Sequence, residues 1–473
     1  MKRLLALFLA LSLAACSTTG ANERQAFAGT SIEVLRSGDV WTADFRFDRD
    51  SPVWAFTRSA VTREGQRPWR PRSWTVETSG VRLERQGRYD VLVAENGRPV
   101  PRRVRIRFTP FAQDLIAAYD PALVFTDGSV ALYTQQFDPF PVASTAIAAA
   151  LPIDLADAQV EQVPTRVRFR DRRGRVLHMG RRYDSATITG GGGAYLLFGP
   201  AAAIENEAMA TIIDPQLPAW LRSTLASATP RILAAYAERL GPAPGGRPTF
   251  LLSWAGPTPR LSSMGGSVLP SMVVMRFEGE GVVRESPQLA HQALWFIAHE
   301  GAHFWLGQAV GYQFSRDAWI TEGGADLLAI RNTALLDPSY DARAALQERL
   351  ERCVRIAAGR SVASAQQRNE HDAYYACGAM FGLIAEGAQR RSTGGDFFAF
   401  VRALIDSNRE DRVVTKDEWL AQVTRLAGDP ALEQGMRAMI ETGVADPSAH
   451  LQSLFARAGI GHARDSEGRL RLQ

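Results

Sequence analysis

The chain has 473 residues, 22% of them charged, and a formal net charge of +4. It is too long for one hydrophobic core, and two to three domains are expected. The basic residues are almost all arginine and lie scattered, without the clustered, aromatic-interleaved stripe of a nucleic-acid surface, so nucleic acid is not an expected partner.

Met1, Lys2 and Arg3 precede an apolar run over 4–13, too short to span a bilayer, that ends in Leu13-Ala14-Ala15-Cys16. Residues 1–15 read as a signal peptide, and Leu-Ala-Ala-Cys resembles the bacterial lipobox, whose cysteine becomes the lipidated first residue. Cys16 is therefore the expected lipidation site and membrane anchor, since more than one acyl chain gives stable attachment. Ser17 after the cysteine resembles lipoproteins sorted to an outer membrane, which implies a periplasm-facing body on a tether. No later stretch is apolar for long enough to cross a membrane.

Residues 16–205 read as an antiparallel β domain. Trp41, Ala43, Phe45 and Phe47 alternate with polar residues, the period of a half-buried strand. Similar runs fall at 88–93, 104–108, 123–126, 130–133, 166–170 and 176–179, and Asn96-Gly97 and Asp127-Gly128 supply the positive φ that hairpin turns need. The glycines at 190–193 read as a loop, because no Gly-Lys-Ser/Thr and no helix follow.

A helical pattern over 217–240 is broken by Gly241-Pro242-Ala243-Pro244-Gly245-Gly246. Strands are expected over 249–254 and 267–277, where Pro270 suits a sheet edge. Such an edge can bind an extended peptide through main-chain hydrogen bonds. Residues 206–395 form the expected catalytic domain. Helices are expected over 342–358, 373–389, 397–407, 416–427 and 430–442, so 396–473 is read as a helical C-terminal region.

The chemistry sits at His299-Glu300-Gly301-Ala302-His303 and at Trp319-Ile320-Thr321-Glu322. At 3.6 residues per turn, His299 and His303 lie one above the other, so both imidazoles reach one cation. Glu300 leans over the same face, placed to act as general base on a water at the open position. Eighteen residues separate His303 from Glu322, enough to finish one helix and return a second carrying Glu322 as the third ligand. Asp326, one turn beyond, can accept a ligand histidine's free ring N–H. With 7 histidines in the chain, this pentapeptide arises by chance in well under roughly one chain in a hundred. The donor set suits one Zn2+ per chain.

His-Glu-x-Ala-His-x-Trp-x-Gly at 299–307, followed by Trp-x-x-Glu-Gly at 319–323, resembles the gluzincin metallopeptidases of the membrane alanyl aminopeptidase and leukotriene A4 hydrolase type. The resemblance implies a thermolysin-like catalytic domain within a multidomain α+β protein. It also implies zinc-dependent hydrolysis of a peptide or protein substrate, and an oxyanion-donating tyrosine in a Tyr-x-Lys-Gly-Ala segment. Tyr375-Ala376-Cys377-Gly378-Ala379 is similar, with cysteine for lysine, which makes Tyr375 the carried-over candidate and Tyr374 its rival. The chain departs from the family at the strand before the histidines. The aminopeptidases of the family carry Gly-x-Met-Glu-Asn there, whose glutamate holds the substrate amine, whereas residues 262–274 contain no acid. Internal or N-blocked peptides are therefore expected to be cleaved at least as well as free-amine ones.

Two other readings remain at this stage: a catalytically silent, zinc-stabilised envelope lipoprotein that binds partners, and a zinc hydrolase acting on a non-protein substrate. Cys353 and Cys377 fall on expected neighbouring helices in an oxidising compartment, where a disulfide competes with two buried thiols.

Overall fold

A computed structural model describes residues 27–116, 118–190, 193–205, 209–245 and 248–473. The expected signal peptide and Cys16 lie outside them. The architecture is multidomain α+β, with N-terminal β sheets, a sheet-and-helix unit in the place of the expected catalytic domain, and a helical C-terminal region.

The N-terminal part holds sheets of six, four and five strands. Strand Val40–Arg46 buries Trp41, Ala43 and Phe45, as its alternation requires. One pairing departs from the expected antiparallel pattern: Thr30–Ser37 runs parallel to Thr165–Asp171, far along the chain. Within this core, Arg70 is fully buried, bonded to Asp90 at 2.7 Å and enclosed by the rings of Phe56, Trp69 and Trp74.

The catalytic unit opens with a five-stranded sheet in the order Ile204–Glu205, Ala210–Ile213, Thr249–Trp254, Met272–Glu278, Ser263–Leu269. The single strand expected over 267–277 is instead a hairpin. Pro270 sits in its two-residue turn rather than on an edge, and Ser271 takes a φ of 54° there. Ser263–Leu269 is the free edge, antiparallel to Met272–Glu278. One face of this sheet shares a core with the β domain, with Leu251, Met272 and Val274 against Leu123, Tyr133 and Leu197.

The other face carries the helices. Pro287–Ala302, the histidine helix, starts where Ser286 Oγ accepts the Leu289 N–H and proline occupies its first turn. Ala219–Leu240 packs behind it, and Tyr236 Oη donates to Ala298 O at 2.8 Å. The glutamate helix, Trp319–Leu336, lies between it and the tyrosine helix, Asp372–Thr393. The last two helices cross at glycine. A Cβ on Gly323 would fall 2.2 Å from the Gly378 backbone, and one on Gly378 2.4 Å from Trp319 O. Backbone therefore meets backbone, one residue from Glu322 and three from Tyr375.

Cys353 on Ala342–Ile356 is disulfide-bonded to Cys377 on the tyrosine helix. The helical C-terminal region closes with a hairpin, His462–Arg464 with Leu470–Leu472, whose Leu470 and Leu472 join the helical core. Among the described residues no helix is long and apolar enough to cross a membrane.

Substituting Gly323 by alanine should cost about 1–3 kcal/mol of stability, the usual penalty for overpacking. Urea unfolding of Gly323→Ala against the parent measures it, and an unchanged midpoint would show that the two helices part without cost.

Candidate metal centre and active site

The histidine helix ends at Ala302, and His303 caps it, so both imidazoles project from its last turn towards the first turn of the glutamate helix. His299 Nε2 stands 3.2 Å from His303 Nε2. Glu322 Oε2 stands 3.6 Å from the first nitrogen and 3.4 Å from the second. Ligand atoms on a tetrahedron with zinc bond lengths of about 2.0–2.1 Å would sit about 3.3–3.4 Å apart. The three donors are thus spaced as corners around a small tetrahedral cation.

The far sides of both rings are fixed. His303 Nδ1 donates to Leu306 O at 2.9 Å. His299 Nδ1 faces Asp326 Oδ1 at 3.1 Å, and neither atom has a hydrogen bond elsewhere. A ring that gives its Nδ1 proton to an acceptor keeps Nε2 free for a metal. Asp326 is itself held by Arg349 Nε at 2.6 Å, and that guanidinium lies over the Trp295 ring, 4.9 Å from its centroid. Nothing in the local pattern around Arg349 pointed to this role, because its helix reaches Asp326 only through the tertiary fold.

Burial opposes charge on His299, but Asp326 and Glu322 outweigh it and raise the imidazole to about 10; His303 is raised in the same way by Glu322. Burial likewise opposes charge on Glu322, yet the two imidazoles hold it well below the ordinary carboxylate range. The carboxylates thus draw positive charge to the imidazoles, and the imidazoles keep Glu322 ionised.

Glu300 is 6% exposed, and burial raises its carboxyl against the pull of the two histidines. The free edge strand passes directly over it: a Cβ on Gly266 would lie 2.7 Å from Glu300 Cδ. Only glycine lets the strand come this close.

The two tyrosines part company. Tyr375 stacks on His299, with ring centroids 5.7 Å apart, and Glu322 first, then burial and Glu300, push its phenol far up. Tyr374 is buried against His371, and the carboxylates that act on it are Asp317 and Asp154. The structure therefore brings Tyr375, and not Tyr374, to the histidines.

Glu278 and Glu280, which follow the edge hairpin, do not turn back to the site. Glu278 is paired with Arg276 and accepts from Thr258 Oγ1 at 2.6 Å, while Glu280 accepts the Arg260 N–H at 2.8 Å.

Neither protein-family models nor curated proteins match the chain. Solved structures do. An aminopeptidase N family protein from Idiomarina loihiensis superposes with a TM-score of 0.59 at 12% identity, over 92% of this chain and 79% of that one. Native yeast LTA4 hydrolase gives 0.51 at 12% identity, over 88% and 67%. At such identities the shared property is the fold.

The purified protein should take up about one zinc per chain and release protons on loading at neutral pH. The sign follows from the raised imidazoles: a nitrogen must be free of its proton to coordinate, so protons compete with the metal and affinity falls as pH drops. Calorimetry in buffers of different ionisation enthalpy reads the release. A folded protein that binds no transition metal would remove the metal centre altogether.

Proposed function

We propose that this protein is a zinc-dependent peptidase of the cell envelope. The observation that carries the reading is the spacing of His299, His303 and Glu322 around one point, with Glu300 and Tyr375 beside it. When bound, zinc would polarise the scissile carbonyl and make water more acidic.

The chain's own residues supply the rest. Glu300, buried and raised, takes the proton of the attacking water and returns it to the leaving amine. Tyr375, with its phenol kept protonated by the neighbouring carboxylates, donates to the oxyanion as it forms. The edge strand lies open beside Glu300, with Gly265 and Gly266 exposed, and can align an extended peptide by its backbone. Asp326 and Arg349 keep His299 turned. For location, the charged start, the short apolar run and Leu13-Ala14-Ala15-Cys16 support a lipid-anchored, periplasm-facing protein, and the outer membrane is favoured by Ser17.

A digest of a broad peptide library by the zinc-loaded protein, read by mass spectrometry, tests the function. No cleavage would sink it. Glu300→Gln should keep zinc and lose several orders of magnitude in kcat, because a base is lost and no coordination bond is. Tyr375→Phe should cost about 3 kcal/mol of transition-state stabilisation, while Tyr374→Phe leaves the rate close to the parent's.

In a matched peptide pair differing only in N-acetylation, the acetylated peptide should give a kcat/KM at least as high as the free-amine one, since no carboxylate stands on the edge strand to pair with an ammonium. A loss of roughly a hundredfold on acetylation, about 2.7 kcal/mol, would reveal an amine anchor. Cys16→Ala should release the protein from membranes or leave its precursor unprocessed; undisturbed membrane retention would point to another anchor.

A further inference from the structure

The β domain touches the edge strand beside the catalytic residues. Tyr119 Oη donates to Val268 O at 3.0 Å. In the two-residue hairpin, Leu269 and Met272 flank the turn, so Leu269, Ser267 and Gly265 bond inward and Val268, Gly266 and Met264 turn their peptide groups outward. Gly266 is the outward residue over Glu300, and Val268 lies about 6.7 Å further along. A peptide aligned on Gly266 has room for about one more residue before it meets Tyr119.

A cation waits there. The Arg58 guanidinium lies 5.6 Å from the Tyr119 ring centroid and 5.9 Å from that of Tyr133. Its Nε and Nη2 both donate to Gln135 Oε1, the guanidinium also bonds the Tyr133 phenol, and no carboxylate among the described residues forms an ion pair with it. Asp138, which feels Arg58, is pushed up by burial to about 7 and so offsets only part of its charge at neutral pH. Arg58 and the carboxylates of the metal centre act on the same two phenols. Besides burial, Tyr119 responds to Arg58, Glu322 and Glu300; Tyr312, 37% exposed, responds to Glu322, Tyr119 and Arg58.

We propose that Arg58 is a substrate-binding residue that receives a carboxylate carried next to the scissile bond, so that the preferred substrates are acidic: peptides with aspartate or glutamate there, or with a dicarboxylic acyl cap. A planar guanidinium with no carboxylate partner, set against two aromatic rings, suits a carboxylate and repels an ammonium. The end of the cleft closed by Tyr119 thus selects the charge opposite to the one that an amine anchor would select. The inference rests on the peptidase reading for the word substrate, but not for the binding itself.

Calorimetry on zinc-loaded Glu300→Gln protein tests it with three hydroxamates of similar length: succinic monohydroxamate, butyrohydroxamate and β-alanine hydroxamate. The acid should bind roughly tenfold or more tighter than the neutral probe, and the ammonium weakest. Introducing Arg58→Gln should erase the order, and Arg58→Lys should retain part of it. Equal affinities, or an order that survives Arg58→Gln, overturn the proposal. Should Arg58→Gln fail to fold, the three probes on the Arg58 protein and on Arg58→Lys still decide. Acid preference in binding without hydrolysis of any peptide would remove the peptidase and leave Arg58 standing. Hydrolysis indifferent to acidic flanking residues would do the reverse.

Discussion

Two imidazole nitrogens and a carboxylate oxygen held 3.2–3.6 Å apart in the interior are stable only with positive charge between them. That constraint organises the catalytic unit. Each donor sits on a helix end whose backbone cannot drift: the histidines on the last turn of one helix, Glu322 on the first turn of the next. Asp326 and Leu306 O fix the rings from behind, and Arg349 fixes Asp326. Each layer pins the one inside it.

The same helices place the phenol. Because glycine meets glycine where the glutamate and tyrosine helices cross, Tyr375 reaches Glu322 and stacks on His299, whereas Tyr374, one residue earlier and turned about 100°, packs into the core. The Cys353–Cys377 bridge falls one turn beyond Arg349 on its helix and two residues beyond Tyr375 on the other. A single covalent link therefore spans the arginine that holds Asp326 and the tyrosine that stacks on His299, and its effect is confined to a loop of 24 residues. Relative motion of those two helices is what the link resists.

What the sequence made legible was local or helical in period. His299, Glu300, His303, Glu322 and Asp326 are related by one-turn offsets and by a gap that a helix, a turn and a second helix must fill, and the structure draws them together. Tyr375 could be named but not separated from Tyr374, because the choice depends on how far the helix is rotated at the glycine crossing. Arg349, Tyr119 and Arg58 left no signal, since each arrives from an element distant in sequence. Pro270 was misplaced because a proline inside an apolar run fits both an edge strand and a hairpin turn; Ser271 at positive φ decides for the turn. The parallel pairing of Thr30–Ser37 with Thr165–Asp171 was likewise invisible, because alternation shows which face is buried and not which strand is the neighbour.

Closeness between Gly266 and Glu300 has a consequence for recognition. A side chain at 266 would strike Glu300, so the edge strand can present only backbone there. Backbone alone aligns any extended peptide and distinguishes none. Discrimination must come from groups that close round the strand, and on the side of Val268 these belong to the β domain: Tyr119 on the strand's own carbonyl, with Arg58 and Tyr133 behind it. In the proposed peptidase, chemistry and selection are thus carried by different parts of the chain, joined through the core that Leu251, Met272 and Val274 share with Leu123, Tyr133 and Leu197. On that reading, a change in the shared core would move the selecting groups relative to Glu300 while leaving the metal ligands where they are, so it would act on which peptide is cut before it acted on how fast.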